Sequence, residues 1–159
     1  MKATLTAFLV ATTITMAWAE EGYVPYPTGY LEWRHVKSMV IESGHPLFGA
    51  FGGIHHIYAN DRALQGYRSD HFPDGSVLVF DLLEALQDGA AVVEGKRKVL
   101  GVMVKDAHRY EATGGWGFEG FGAGDSGSRV VGSNAASACF ACHQPQQAQD
   151  FTFSRLRDG

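Results

Sequence analysis

Both cysteines of this 159-residue chain fall in one five-residue window, Cys139-Phe140-Ala141-Cys142-His143, and that window constrains the fold and chemistry more than any other feature. A structural zinc site wants four ligands, usually from two such pairs, and the sequence has no second pair. A thioredoxin-like redox pair stays open as a rival, because CxxC in an oxidising compartment can close into a disulfide. The histidine that follows favours the other meaning of CxxCH, covalent attachment of a haem. On a helix, two sulfurs three residues apart and an imidazole four residues from the first emerge from one face within about one turn. In this reading Cys139 and Cys142 are thioether anchors for one haem c, and His143 is the axial ligand of its iron.

The place of the motif in the chain bears on what the iron can do. Small electron-transfer cytochromes of the commonest kind carry the motif near the N-terminus and draw a sixth ligand from a Met well downstream. Here only sixteen residues follow His143, and none is Met. Met39 and Met103 lie upstream in apolar periodic segments, where a core role is expected. An open sixth position follows, and such an iron binds small gaseous or nitrogenous molecules rather than simply relaying electrons. Among ten Phe, the candidates for an apolar distal wall are Phe48, Phe51, Phe72 and Phe80, with Phe72 and Phe80 preferred.

The N-terminus reads as an export leader. Met1-Lys2 precedes an apolar stretch from Leu5 to Trp18, and Ala17-Trp18-Ala19 offers small residues for cleavage. The stretch is short and Thr-rich for a membrane span, so residues 1–19 are expected to be a signal peptide and residues 20–159 one exported domain, placed in a bacterial periplasm. No later segment is long and apolar enough to span a bilayer. A formal charge of −4 with no clustered Lys and Arg argues against nucleic acid as a partner. The run Lys96-Arg97-Lys98 is expected to be a solvated turn.

Periodicity predicts an α+β fold, a mainly antiparallel sheet with flanking helices and a haem-bearing C-terminal helix. Leu31, Trp33, Val36, Met39, Val40 and Ile41 recur at three- and four-residue intervals, predicting one helix over 30–43 that covers the sheet. Residues 46–53 read as an apolar loop against something buried. Strands are expected at 54–59, from Val77, at 99–105 and at 116–121, with 81–87 bending into a helical turn. Asn60-Asp61 suits a turn or helix cap, and Phe72-Pro73-Asp74-Gly75 suits a turn. On an alternating strand His55 and His56 face opposite sides and cannot clasp one metal, so both are taken as structural. Glu119 is expected to face solvent, as are His71 and His108.

Four segments in order, Gly52-Gly53-Ile54-His55-His56-Ile57-Tyr58-Ala59-Asn60, Phe72-Pro73-Asp74-Gly75-Ser76-Val77, Gly114-Gly115-Trp116-Gly117-Phe118, and the CxxCH followed by Asp150-Phe151-Thr152-Phe153, resemble the cytochrome P-460 and cytochrome c'-beta family over nearly the whole mature chain. The resemblance implies a mainly antiparallel β fold, often a homodimer, and a five-coordinate haem c. In the P-460 branch a Lys makes an extra covalent bond to the porphyrin and the protein oxidises hydroxylamine or nitric oxide. The c'-beta branch lacks that bond and is associated with binding nitric oxide and carbon monoxide in an aromatic pocket. The cross-linking Lys is sought near position 80, where this chain has Phe80; Lys96, Lys98 and Lys105 are the alternatives. The sequence leans to the c'-beta type, ahead of a P-460-type oxidoreductase and of a periplasmic electron carrier with an unknown redox partner.

Overall fold

The computed structural model describes residues 23–157. The expected signal peptide and its cleavage site lie outside them.

Five strands form one antiparallel sheet in sequence order: β1 (Arg34–Ile41), β2 (Gly53–Ala59), β3 (Val77–Asp88), β4 (Ala91–Lys105) and β5 (Trp116–Gly122). Period-two alternation sends successive side chains to opposite faces, and each face buries its own cluster. Val79, Leu100, Val102 and Phe121 pack with Val24, Tyr30 and Tyr110 on one side. Leu78, Trp116, Phe118 and Ala59 pack with Val36, Ala63 and Phe72 on the other. The second face carries α2 (Asp61–Ser69) and the C-terminal segment, including Cys139, Phe140 and Phe151. The fold is α+β, as the periodicity predicts.

Asn60 shows how the local chemistry sets an element. Its side chain accepts hydrogen bonds from Ala63 N at 2.9 Å and Val77 N at 3.1 Å and donates to Gly75 O at 2.9 Å, capping α2 and tying it to β3. Asp81 works on the other face, where Tyr30 Oη donates to it at 2.7 Å and Arg97 makes two contacts at 2.6 and 3.1 Å.

Several expectations are corrected. Residues 30–43 are not a helix: Tyr30–Glu32 is a single 3-10 turn and 34–41 is the edge strand β1, so α2 rather than this segment covers the sheet. A bulge between His35 and Lys37 shifts the register. One extra residue there disturbs strict alternation and imitates helical spacing, while β-branched Val36, Val40 and Ile41 suit a strand. Met39 is half exposed rather than core. Residues 81–87 continue β3 instead of turning. Lys96, Arg97 and Lys98 lie within β4, with Arg97 on Asp81 and Lys98 Nζ donating to Gly52 O at 2.7 Å. The 46–53 loop holds a short helix, α1 (Phe48–Phe51), whose Phe48 and Phe51 stay substantially exposed.

Candidate functional site

The cysteines and His143 sit on an irregular helical run spanning 132–149: a 3-10 turn, a π turn over Ala136–Phe140, one α turn over Ala141–His143 and a further 3-10 stretch over Gln144–Gln149. Pro145 near the start of the last stretch suits a first-turn position, where no backbone donor is needed. Cys139 is half-buried against the Phe118 cluster and Cys142 is exposed; both thiols are free. Burial, with Glu119 and Cys142 nearby, pushes the Cys139 thiol up, so at neutral pH it stays protonated.

His143 is oriented with care. Its Nδ1 lies 2.8 Å from the carbonyl oxygen of Phe151, which can only accept, so Nδ1 carries the proton and Nε2 presents a lone pair. The ring stands between aromatic neighbours, 5.1 Å from Phe118 and 4.9 Å from Phe153 between centroids. Burial pulls its pKa down, more than the Phe151 hydrogen bond raises it, and so keeps the imidazole neutral and fit to ligate a metal.

The carbonyl that fixes His143 is itself held. Asp150 and Phe151 both adopt left-handed backbone, φ 48° and 62°. The Asp150 carboxylate pairs with Lys105 Nζ at 2.6 Å and accepts from Phe72 N at 2.8 Å, while Trp116 Nε1 donates to Asp150 O at 2.9 Å. Lys105 and Asp150 each keep only 10% of their side-chain exposure. Nothing in the sequence marks Asp150 for this part except its place in the Asp150-Phe151-Thr152-Phe153 segment.

Phe72 and Phe80 have different surroundings. Phe72 is core, between Tyr67 and Trp116 at 4.9 and 5.3 Å. Phe80, two residues along β3 from Leu78, faces the same side as the CxxCH run. It lies half-buried, 4.6 Å from His55 and edge-on to Phe51 at 5.7 Å. Beside it in register are Gly101 of β4, over which the Phe80 side chain packs, and Gly120 of β5, which is covered by Val130 and Val131.

Glu119 corrects another expectation: it is buried, not solvent-facing. It accepts from the backbone N–H groups of Gly120, Val131 and Gly132 and from Arg129 at 2.9 Å, pinning the segment that leads into the cysteines. Burial raises its pKa, but these four donors outweigh burial and hold it below the usual carboxylate range. The signal that could have found this is Arg129, ten residues on.

His55 and His56 do face opposite ways. His56 belongs to a solvent-side relay in which Arg157 donates to His35 Nδ1, His35 to Ser38 and Ser38 to His56 Nδ1, and His56 Nε2 donates to Glu94. A donor-only guanidinium at one end and an acceptor carboxylate at the other fix the direction of the two terminal hydrogen bonds. His55 is 7% exposed, and its Nδ1 is buried with no hydrogen-bond partner. His71 and His108 are exposed, as expected. Among the described residues, no group of three His, Cys, Asp or Glu side chains is placed to hold a metal ion by itself.

Compared with known families, the chain matches the profile described as Cytochrome P460 over residues 27–154. The chain belongs to the cytochrome P460 family. No curated protein matches it. Membership of this cytochrome family implies a haem cofactor, and the residues present fit one. Two free thiols and an imidazole with its Nε2 lone pair uncommitted share one short helical run, which packs on the face carrying Phe118. The same face offers the Phe51–Phe80 wall and an orphaned buried imidazole nitrogen on His55.

Proposed function

We propose that this P460-family cytochrome carries one haem c, held through Cys139 and Cys142 and ligated by His143 Nε2, and that it binds or turns over nitric oxide or a related small nitrogen species at the opposite, open side of the iron. The observation that carries the reading is the His143 Nδ1 contact with Phe151 O, which commits one imidazole nitrogen to the backbone and leaves the other for a metal. Cys139 and Cys142 would each hold the porphyrin by a thioether, the S–H adding across a vinyl C=C. When bound, the haem supplies an iron whose vacant axial position takes a diatomic or a small amine.

The chain's own residues do the rest. His143 would hold the iron through Nε2, with Phe118 and Phe153 flanking the imidazole. Phe80 and Phe51 form the apolar wall that admits small ligands. Phe72 serves the proximal side instead, through its core packing and its main-chain contact with Asp150. The reading follows the c'-beta type because Phe80 stands where the resemblance seeks a cross-linking Lys. Lys105 is committed to Asp150 and Gly114 O, and Lys98 to Gly52 O.

Export to a bacterial periplasm belongs to the same proposal, as does a homodimer in solution. Among the described residues no helix is long and apolar enough to cross a membrane.

Absorption spectra of the haem-loaded protein, ferric, ferrous and ferrous with carbon monoxide, test the proposal. A high-spin ferrous form with an ordinary Soret band and rapid carbon monoxide binding supports it. A strongly red-shifted ferrous band would assign the cross-linked oxidoreductase. A low-spin spectrum indifferent to carbon monoxide would assign an electron carrier. His143→Ala is expected to lose the native axial signature while the thioethers persist; an unchanged spectrum overturns His143 as ligand.

A further inference from the structure

We infer that the buried Lys105–Asp150 ion pair is a positioning device for the axial imidazole, setting the strength of the His143–iron bond through the Phe151 carbonyl. The inference rests on His143 being the axial ligand.

His143 Nδ1 donates to Phe151 O, which belongs to the peptide linking 151 to 152, and the direction of that peptide follows from the two successive left-handed residues before it, Asp150 and Phe151. Such backbone is uncommon for residues other than glycine and is kept only where surrounding contacts over-determine it. Those contacts converge on Asp150. One carboxylate oxygen takes Lys105 Nζ at 2.6 Å and the other takes Phe72 N at 2.8 Å, while Trp116 holds the main-chain oxygen at 2.9 Å. Lys105 is held in turn by Gly114 O at 3.1 Å and lies over the Trp116 ring at 5.0 Å. The Phe151 ring closes against Gly114, where a Cβ would come within 2.4 Å of it. Contacts from β4, β5, the turn at Gly114 and the loop before β3 thus fix one carbonyl, and that carbonyl fixes one imidazole.

A hydrogen bond from Nδ1–H gives the ring partial imidazolate character and makes Nε2 a stronger donor to the metal. A firm Phe151 contact therefore strengthens the iron–histidine bond and favours ferric iron. If the ion pair were only structural, its loss would lower stability and leave the metal's electronic signature alone.

Asp150→Asn is the informative change, because Asn tolerates left-handed backbone while losing the charge that holds Lys105. In haem-loaded protein the ferrous iron–histidine stretching frequency should fall, and the ferric–ferrous equilibrium should shift toward ferrous by roughly 2- to 10-fold, the worth of about one hydrogen bond. Lys105→Met should do the same, and the double variant should shift no further than either single one, since both act through one contact. Haem-loaded Asp150→Asn and Lys105→Met with wild-type stretching frequency and potential would overturn the inference. Additive shifts in the double variant would overturn it too. His143→Ala separates the levels: if it keeps the wild-type iron–histidine band, the axial assignment itself fails; if it loses the band while Asp150→Asn leaves it unmoved, only the positioning role fails.

Discussion

Four donors meet on the Glu119 carboxylate, so replacing it strands three backbone N–H groups and leaves the Arg129 guanidinium with Val24 O alone as a hydrogen-bond acceptor. Glu119→Ala should destabilise the protein by roughly 3 kcal/mol, as expected when one partner of a buried pair is removed. Chemical denaturation checks this, and a loss under about 0.5 kcal/mol would show the network to be dispensable. Histidines set a pH dependence at the same scale. Burial lowers His55, with His56 contributing, and burial followed by the Arg157 charge lowers His35, both from an ordinary 6.5. Groups depressed on folding take up protons in the unfolded chain first, so their stabilisation is complete above 6.5 and fades as pH falls from there through their folded pKa values. Denaturation midpoints should drop between pH 7.5 and 5, and His55→Leu should flatten part of that slope. At this scale the sequence displays residue types but not their partners. CxxCH could be read because its spacing alone states a chemistry; the Phe151 carbonyl and the Lys105–Asp150 pair could not, since they join positions brought together only by folding.

Among the elements, β2 to β5 were legible wherever large apolar residues fill a strand between turn residues. The outer half of the β3–β4 hairpin was missed because it stands in solvent, with Leu86 paired to Val93 and Gln87 to Val92. Burial leaves little alternation there. The overlooked signal is Gly89-Ala90, the two-residue turn between paired Asp88 and Ala91, whose glycine has φ 59°. β1 was misread for the opposite reason, since its bulge disturbs an alternation that would otherwise show. Two glycines give a contrasting test of element strength. At Gly53, opening β2 with φ 134°, a Cβ would sit 2.1 Å from the Leu83 carbonyl oxygen, so Gly53→Ala should cost roughly 3 kcal/mol through strain and a displaced β3. At Gly49 in α1 nothing lies within 4 Å, and Gly49→Ala should be neutral or stabilising by up to about 1 kcal/mol. Thermal melts of the two variants should move apart; equal melting temperatures would mean the β2–β3 edge yields freely.

For the whole molecule, the meander matters more than any strand. Each strand pairs with the next in sequence, and all five lie before residue 139. The sheet's two apolar clusters draw most of their members from strands and from α2, with the C-terminal run contributing at the edge of one. A Cys139→Ala/Cys142→Ala variant should therefore keep its β-sheet signature in far-ultraviolet circular dichroism, and a coil spectrum would show that the sheet depends on the cofactor. Order along the chain is also order in time. A ribosome releasing this protein from its N-terminus delivers every strand before the two thiols. Every strand that the C-terminal run packs against thus emerges ahead of it, and the Lys105–Asp150 pair joins the first-made part of the fold to the last.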